Sequence, residues 1–502
     1  MSQISVNNLT FYYEGSSDNI FEEVSFQIDT DWKLGFIGRN GMGKTTFLNL
    51  LQNKYEYKGS IKSNEVFDYF PFIISPEQGK KPVIEVLEEL KPDYELWKVC
   101  RELDELKVDA DILYQAFHTL SNGEQTKVML ALLFSMDNHF LLIDEPTNHL
   151  DKEARLLVQD YLNSKKGFIL VSHDRAFMDA CVDHVLVLNR TSVVVERGNF
   201  SSWWENKSKQ DAFELSENEK LKKEIRKLSA SARQSGAWAD KVESTKIGGG
   251  ESRSELPVNN RAYVGEKSRK MQQRRKNLEN RQKKALEEKK DLLKDVENVE
   301  QIKIIPLKHH KNLLVKGTDF GICYGTKEIF SHLNFELEQG ERLALKGKNG
   351  CGKTSVLKYL LGQAPTTDML VEGDLFTASN LKISYVSQDT KMLKGDLESY
   401  AKKYEIDYTL FLSLLHKLDF GRTQFEKEMS SFSEGQKKKV LIARSLCEQA
   451  HIYLWDEPLN FIDVFSRMQI EQLLLTYKPT MLFVEHDSIF SEKIATKTIL
   501  FK

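Results

Sequence analysis

The chain predicts an α/β protein of two tandem domains, each on a largely parallel sheet, joined by a long antiparallel α-helical hairpin. Three observations predict this. Four sequence landmarks occur twice in the same order. In each copy a glycine-rich turn sits between a short apolar run and a helix-patterned segment. Between the copies lies a charged stretch with apolar residues at helical spacing.

The repeat is explicit. GRNGMGKTT at 38–46 returns as GKNGCGKTS at 347–355, and LSNGEQTKV at 120–128 as FSEGQKKKV at 432–440. HFLLIDEPTNHLD at 139–151 returns as HIYLWDEPLNFID at 451–463, and FILVSHD at 168–174 as MLFVEHD at 481–487. The separations nearly agree: 309 residues from Lys44 to Lys353, 312 from Asp144 to Asp456 and 313 from His173 to His486. Four landmarks in one order and nearly one register are a duplicated domain.

Each copy opens on strand-like alternation with an aromatic cluster, Phe11, Tyr12 and Tyr13, then Phe320 and Tyr324. The apolar runs 32–37 and 342–346 lead into the glycine-rich turns. Leu48, Leu50 and Leu51, and likewise Leu357 and Leu360, then start a helical pattern. Strand, phosphate loop and helix is the context a P-loop requires. The runs 140–143, 168–171, 452–455 and 481–484 are continuous and apolar, as buried parallel strands are.

The segment 205–300 is of another kind. Leu221, Ile225, Leu228 and Ala232 recur at spacings of 4, 3 and 4, and Met271, Leu278, Ala285 and Leu292 recur every seven. These are seams of packed helices. The turn formers of IGGGESRSELPVNN at 247–260 separate them. Each helix would reach roughly 55 Å at 1.5 Å per residue. The domain boundaries expected are 1–204, 205–306 and 307–502. Near the return, His309 and His310 are adjacent, and a pair of linker histidines is expected to be plain surface.

Charge sets the segment apart. It holds 24 Lys and Arg against 18 Asp and Glu, whereas the rest of the chain holds 47 against 56. The stretch 261–290 alone has 12 basic and 4 acidic residues, which points to a polyanionic partner. Arg261, Lys267, Arg269, Lys270, Arg274, Arg275, Lys276, Arg281, Lys283 and Lys284 suit phosphate contact. For any one of them a solvated helix face is as good an account; the cluster favours phosphate contact. Trp238 and Tyr263 flank the turn and either stack on bases or pin the helices together. No run of about 18 apolar residues appears, so no membrane span is expected. The N-terminus carries no secretory pattern, and Cys100, Cys181, Cys323, Cys351 and Cys447 form no CxxC pair. Both fit a reducing, cytoplasmic setting.

The repeated motifs carry chemistry. GxxxxGK followed by threonine spans Gly38, Gly43, Lys44 and Thr45, and again Gly347, Gly352, Lys353 and Thr354. Glycines let backbone N–H groups close on phosphates, the lysine meets the β and γ phosphates, and the threonine hydroxyl is a Mg2+ ligand. Asp144 and Asp456 end apolar strands and suit the same ion, directly or through water. Glu145 and Glu457 follow, placed to polarise an attacking water, and His173 and His486 come after later strands, within reach of a γ-phosphate. A lone histidine after a strand is usually structural; two at matched distance point to function.

These residues resemble the ATP-binding cassette superfamily: a Walker A loop, an LSGGQ-like signature, a Walker B aspartate with its glutamate, and the switch histidine. The resemblance implies two cassettes closed face to face on two ATP molecules with Mg2+. It sets Lys44, Asp144, Glu145 and His173 opposite Ser433, Gly435 and Gln436, and Lys353, Asp456, Glu457 and His486 opposite Ser121, Gly123 and Glu124. Asn40, Gly41 and Thr46, with Asn349, Gly350 and Ser355, complete the phosphate loops, and Tyr13 and Tyr324 match the adenine-stacking aromatic. Gln388 in YVSQ matches the Q-loop glutamine near the metal. The first copy departs, with Phe72 of YFPF in that place, and a phenyl ring ligates neither metal nor water. Asn122 and Glu434 stand where the signature commonly has glycine. Both copies keep glutamate and histidine, so both are expected to hydrolyse ATP.

Two cassettes in one chain, DEPTNHLD, GNFSSWWE at 198–205 and a charged helical linker resemble the ABC-F family over essentially the whole chain. The linker start FELSENEK, the lack of a long insertion in the first cassette and of an extension after Lys502 resemble its antibiotic-resistance branch, most of all the Lsa type. That implies a monomer on the bacterial 70S ribosome. Its linker would lie beside the P-site tRNA and the 23S rRNA near the peptidyl-transferase centre, protecting against pleuromutilins, lincosamides and streptogramin A. A housekeeping ABC-F translation factor is the neighbouring reading. The ATPase subunit of a membrane transporter is the reading of another class, although no membrane domain is fused here.

Overall fold

A computed structural model describes the chain except residues 1, 14–18, 137–138, 148–149, 151, 190–192, 245–305, 326, 349, 364–368, 422–423 and 502. The chain divides into two compact units, Met1–Trp203 with Gln301–Lys502, and Trp204–Glu300. Both repeats therefore sit in one unit.

The first copy contributes β1 (Gln3–Phe11), β2 (Phe21–Asp29), β3 (Lys33–Gly38), β4 (Lys58–Lys62), β5 (Val66–Phe70), β6 (His139–Asp144), β7 (Phe168–Val171), β8 (His184–Leu188) and β9 (Val193–Arg197). Its core sheet runs β5-β6-β7-β3-β8-β9, parallel except for the last pair. The second copy contributes β10 (Leu313–Tyr324), β11 (Lys327–Glu338), β12 (Arg342–Lys346), β13 (Met369–Thr377), β14 (Ile383–Val386), β15 (Ile452–Asp456), β16 (Met481–Val484) and β17 (Lys497–Leu500). Its core sheet, β14-β15-β16-β12-β17, is wholly parallel. The continuous apolar runs form these strands because both faces are covered; Phe168–Val171 and Met481–Val484 are buried throughout.

Each copy also carries a separate three-stranded antiparallel sheet, β2-β1-β4 and β11-β10-β13. The opening alternation marked strands but not a second sheet. Ile4, Val6, Leu9 and Phe11 point from β1 into the cluster that also buries Phe36, Phe47 and Leu48, so the sheet packs over the phosphate-loop helix. Leu314, Phe320, Ile322, Val356 and Leu357 do the same in the second copy.

Topology places the motifs. β3 and β12 are each flanked by parallel strands on both sides, and these neighbours end at the same edge, where loops collect the chemistry. Helices Lys44–Leu51 and Lys353–Leu360 begin at Gly43 and Gly352, with φ of 99° and 92°. A Cβ there would also lie 2.5 Å from Ile20 Cγ2, or 2.6 Å from Ile329 Cγ2, so only glycine fits.

One helix, Phe200–Ser244, leads into the second unit over 45 residues. It covers Leu221, Ile225, Leu228, Ala232 and Trp238. The turn at 247–260, Tyr263, the seam from Met271 to Leu292 and the basic residues from Arg261 to Lys284 lie outside the described residues. His309 corrects an expectation. It is not plain surface but buried, with Nε2 3.0 Å from the Ser379 carbonyl and Nδ1 accepting from Lys311 N–H at 3.1 Å. Both ring nitrogens serve the backbone of the return segment, which adjacency in sequence does not reveal.

Candidate nucleotide sites

Two clefts form at the strand-end edges, and each draws on both copies. One, of about 370 Å³, is lined by Tyr324, Gly350, Gly352, Lys353, Thr354, Ser355, Gln388, Glu457 and His486 with Asn122 and Leu150 of the first copy. The other, of about 410 Å³, is lined by Asn40, Gly41, Glu145 and His173 with Asp419, Ser433, Glu434, Gly435, Gln436 and Lys439 of the second. We term the cleft on Lys44 site 1 and the cleft on Lys353 site 2. Asn349 lies outside the described residues.

The lysines rest on their own loops. Lys44 Nζ donates to the carbonyls of Gly38 (2.6 Å) and Arg39 (3.2 Å), and Lys353 Nζ to those of Gly347 and Lys348 (both 2.8 Å). Burial lowers the Lys44 pKa, since a desolvated ammonium lacks the hydration that favours its charge. Thr45 Oγ1 lies 3.4 Å from Asp144 Oδ2, and Thr354 Oγ1 lies 3.2 Å from Asp456 Oδ1. Asp456 Oδ2 is buried and accepts no hydrogen bond among the described residues. A threonine hydroxyl beside such an orphaned carboxylate oxygen is a fitting donor set for a hard cation such as Mg2+. Burial raises the Asp144 pKa and pushes Asp456 up to about 6. Tyr13 Oη is 2.9 Å from Thr46 Oγ1, and Tyr324 Oη 3.1 Å from Ser355 Oγ, so each aromatic is fixed on the helix after the loop.

The two glutamates share a backbone and differ in surroundings. Both are left-handed, φ 52° at Glu145 and 46° at Glu457, and each N–H donates to the end of the adjacent strand, at Val171 and Val484. Glu457 is held by His486 Nε2 (3.2 Å), Gln388 Nε2 (2.8 Å) and Asn460 Nδ2 (2.8 Å). Burial acts to raise its pKa, but the His486 contact, the Lys438 charge and the Asn460 hydrogen bond outweigh it, and the pKa lies below the ordinary carboxylate value. Glu145 Oε2 accepts from His173 N–H at 3.3 Å, while His173 Nε2 stands 3.4 Å from Oε1, which accepts no hydrogen bond among the described residues. Burial, then the neighbouring Asp144 charge, pushes Glu145 up to about 8. His173 is held neutral: burial, then Lys44 and Arg467, depress its pKa well below the usual imidazole value.

The Q-loop departure is structural. Phe70 pairs with Ile143 and Val386 with Trp455, so Phe72 and Gln388 occupy matching places two residues on. Gln388 grips Glu457, which Phe72 cannot do for Glu145. Sequence reasoning missed Tyr69, whose hydroxyl donates to Asp144 Oδ2 at 3.0 Å. It also missed Asn460, although both copies have an asparagine three residues after the glutamate.

The signatures are helix N-termini. Ser121 caps helix Asn122–Phe134 and Ser433 caps helix Glu434–Cys447, each in a reciprocal capping box with Glu124 or Gln436. Free N–H groups at such an end suit an anion. Gly435 is obligatory, because a Cβ would sit 2.4 Å from the Phe461 carbonyl. Gly123 is freer, its nearest neighbour Leu150 Cδ2 at 3.7 Å. Across the interface Asn40 Nδ2 donates to the Phe461 carbonyl (3.0 Å), and Arg155 to the His486 carbonyl (3.3 Å).

A family model described as ABC transporter matches residues 21–148 and 330–460, which take in both phosphate loops, both signatures and both strand-end Asp–Glu pairs. The chain belongs to the ABC family. It is an ATP hydrolase of the ABC type, whose domains bind ATP with Mg2+. The ribosome protection protein VmlR of Bacillus subtilis is 27% identical over 500 residues, 97% of this chain and 85% of VmlR. ABC transporter F family member 2 of Arabidopsis thaliana is 25% identical, over 99% of this chain and 76% of its own. The archaeal ribosome recycling factor aABCE1, solved with the stalk protein aP1, matches with a TM-score of 0.62 at 19% identity, over 98% of this chain and 87% of its own. That likeness shows the tandem-cassette fold. No described helix of this ABC protein is long and apolar enough to cross a membrane.

Proposed function

We propose that this ABC ATPase belongs to the F branch. On this reading it protects the bacterial 70S ribosome from peptidyl-transferase-centre antibiotics, with the pleuromutilin, lincosamide and streptogramin A spectrum of the Lsa type. Cassettes at 1–204 and 307–502 clamp two ATP molecules, and the linker at 205–306 lies beside the P-site tRNA and 23S rRNA. The protein works as a cytoplasmic monomer. One observation carries the reading: a 45-residue helix runs from the first cassette into a basic segment before the second. At 1.5 Å per residue it is about 65 Å long, enough to enter a deep RNA cavity. VmlR, named a ribosome protection protein, aligns across that linker as well as both cassettes.

The proposed chemistry divides among side chains. Lys44 and Lys353 hold the β and γ phosphates within loops made by Gly38, Asn40, Gly41, Gly43 and Thr46, and by Gly347, Asn349, Gly350, Gly352 and Ser355. Tyr13 and Tyr324 stack on adenine. Thr45 with Asp144, and Thr354 with Asp456 and Gln388, hold Mg2+, which when bound neutralises phosphate charge. Glu145 and Glu457 orient the attacking water and accept its proton, Glu457 as a ready carboxylate and Glu145 only in its ionised form, while His173 and His486 contact the γ-phosphate. Ser433, Gly435 and Gln436 complete site 1; Ser121, Gly123 and Glu124 complete site 2. ATP favours the closed clamp and so sets the linker for binding, and hydrolysis releases it.

Ribosome co-sedimentation tests this. Glu145→Gln with Glu457→Gln should hold ATP, stay closed and pellet with 70S ribosomes at least tenfold more than wild type without ATP. Equal pelleting sinks the ribosomal reading. Unchanged susceptibility of a sensitive host to all three drug classes would transfer it to a translation factor.

A further inference from the structure

The two ATP sites differ where the phosphate loop meets the opposite cassette. Arg39, the second residue of the first loop, places Nη1 2.6 Å from Asp419 Oδ1 of the second cassette. The side chains are 25% and 16% exposed, so solvent screens the pair only in part. Asp419 stands just past helix Tyr408–Lys417 in a left-handed turn of φ 71°, its N–H donating to His416 O (3.0 Å) and that of Phe420 to Leu415 O (3.0 Å). The turn aims the carboxylate into site 1, which Asp419, Phe420 and Gln424 line beside Asn40 and Gly41.

The first cassette builds the same turn with the opposite charge. Lys107 follows helix Leu96–Glu105 at φ 53°, with N–H donating to Asp104 O (2.9 Å) and that of Val108 to Leu103 O (2.9 Å). The second loop has Lys348 in the place of Arg39, and its ion pair is with Glu153, at 3.8 Å and largely in water. Site 1 thus meets an anion with a cation, whereas the two residues that match them in the repeat, Lys107 and Lys348, are both cations.

We infer that Asp419 is a positioning residue acting in trans: through Arg39 it fixes the phosphate loop of site 1, so site 1 retains its nucleotide longer than site 2. The inference rests on ATP binding by the cassettes and stands apart from the ribosomal proposal.

Release of N-methylanthraniloyl-ATP from the full chain, carrying Glu145→Gln and Glu457→Gln to prevent hydrolysis, tests it without ribosomes. Two release phases are expected. Asp419→Asn should quicken the slow phase about fivefold, the scale of one partly exposed ion pair, and leave the fast phase in place. The exchange Arg39→Asp with Asp419→Arg should restore slow release, which a merely structural role would not do. Lys107→Asp should build the missing pair with Lys348 and slow the fast phase. An unchanged slow phase in Asp419→Asn, equal quickening of both phases, or failure of the charge exchange to restore slow release would each overturn the inference.

Discussion

Glu485 and Ser172 stand at one place in the two copies, directly before the switch histidines, and face different physics. Ser172 lies 3.3 Å from Thr147 by their hydroxyls. Glu485 is a buried carboxylate that accepts from the N–H groups of Leu459 (3.2 Å), His486 (2.8 Å) and Asp487 (3.2 Å). Three backbone donors hold the loop carrying His486. Burial nevertheless raises its pKa above the ordinary 4.5, and the nearby Asp487 adds to the effect against the Arg467 charge. The folded chain therefore holds this proton more tightly than the unfolded chain does. The associated stability is full below the unfolded pKa and is lost as pH rises through the folded one. Glu485→Gln does not titrate, so its melting temperature relative to wild type should climb between pH 5 and pH 8. A flat difference would show that the carboxylate is ionised in the fold throughout.

At the scale of elements, the two signature helices matter through their first turns. A capping box spends Ser433 Oγ on Gln436 N–H (3.3 Å) and Gln436 Oε1 on Ser433 N–H (3.0 Å), and leaves the other first-turn N–H groups to face site 1. The same helix buries Lys438, whose ammonium reaches the carbonyls of Ser387 and Glu457 (both 3.1 Å) and joins the helix to the Q-loop and the strand-end acid. Ser433→Ala removes a cap worth about 1 kcal/mol. The cassette's melting point should fall by about 2–4 °C. Ser433→Thr should recover most of that, since threonine also caps. Equal loss in both variants would mean that the serine matters for its size and not for its hydroxyl.

Across the whole cassette pair, one buried ion cluster ties the halves. Arg175 of the first cassette grips Glu471 of the second through both terminal nitrogens, and lies 3.9 Å from Asp487, which Arg467 also holds at 3.1 Å. The arrangement is one-sided, because the repeat places Gln159 and Ser488 where Glu471 and Arg175 stand. Arg175→Ala leaves buried Glu471 with only the half-exposed Lys493 ammonium at 3.6 Å and should cost about 3 kcal/mol, seen as a lower urea midpoint. Arg175→Met with Glu471→Leu should recover most of it, because apolar packing replaces a desolvated pair. If the double variant is no better than the single one, the pair contributes directionality that packing cannot replace.

What the sequence determined by itself is local. Phosphate loops, strand-end acids and switch histidines were legible because glycine geometry, apolar runs and duplication leave marks within a few residues of each other. The pairing of each loop with the opposite signature was implied by family resemblance, not by spacing. Tertiary structure alone decided that Asp419 meets Arg39, that Tyr69 reaches Asp144, that Gln388 holds Glu457 where Phe72 cannot hold Glu145, and that His309 is buried. The physical reason is common to all four. Backbone periodicity records which face of an element is apolar, whereas a hydrogen bond or ion pair between distant residues depends on how separate elements dock, and docking leaves no period in the chain.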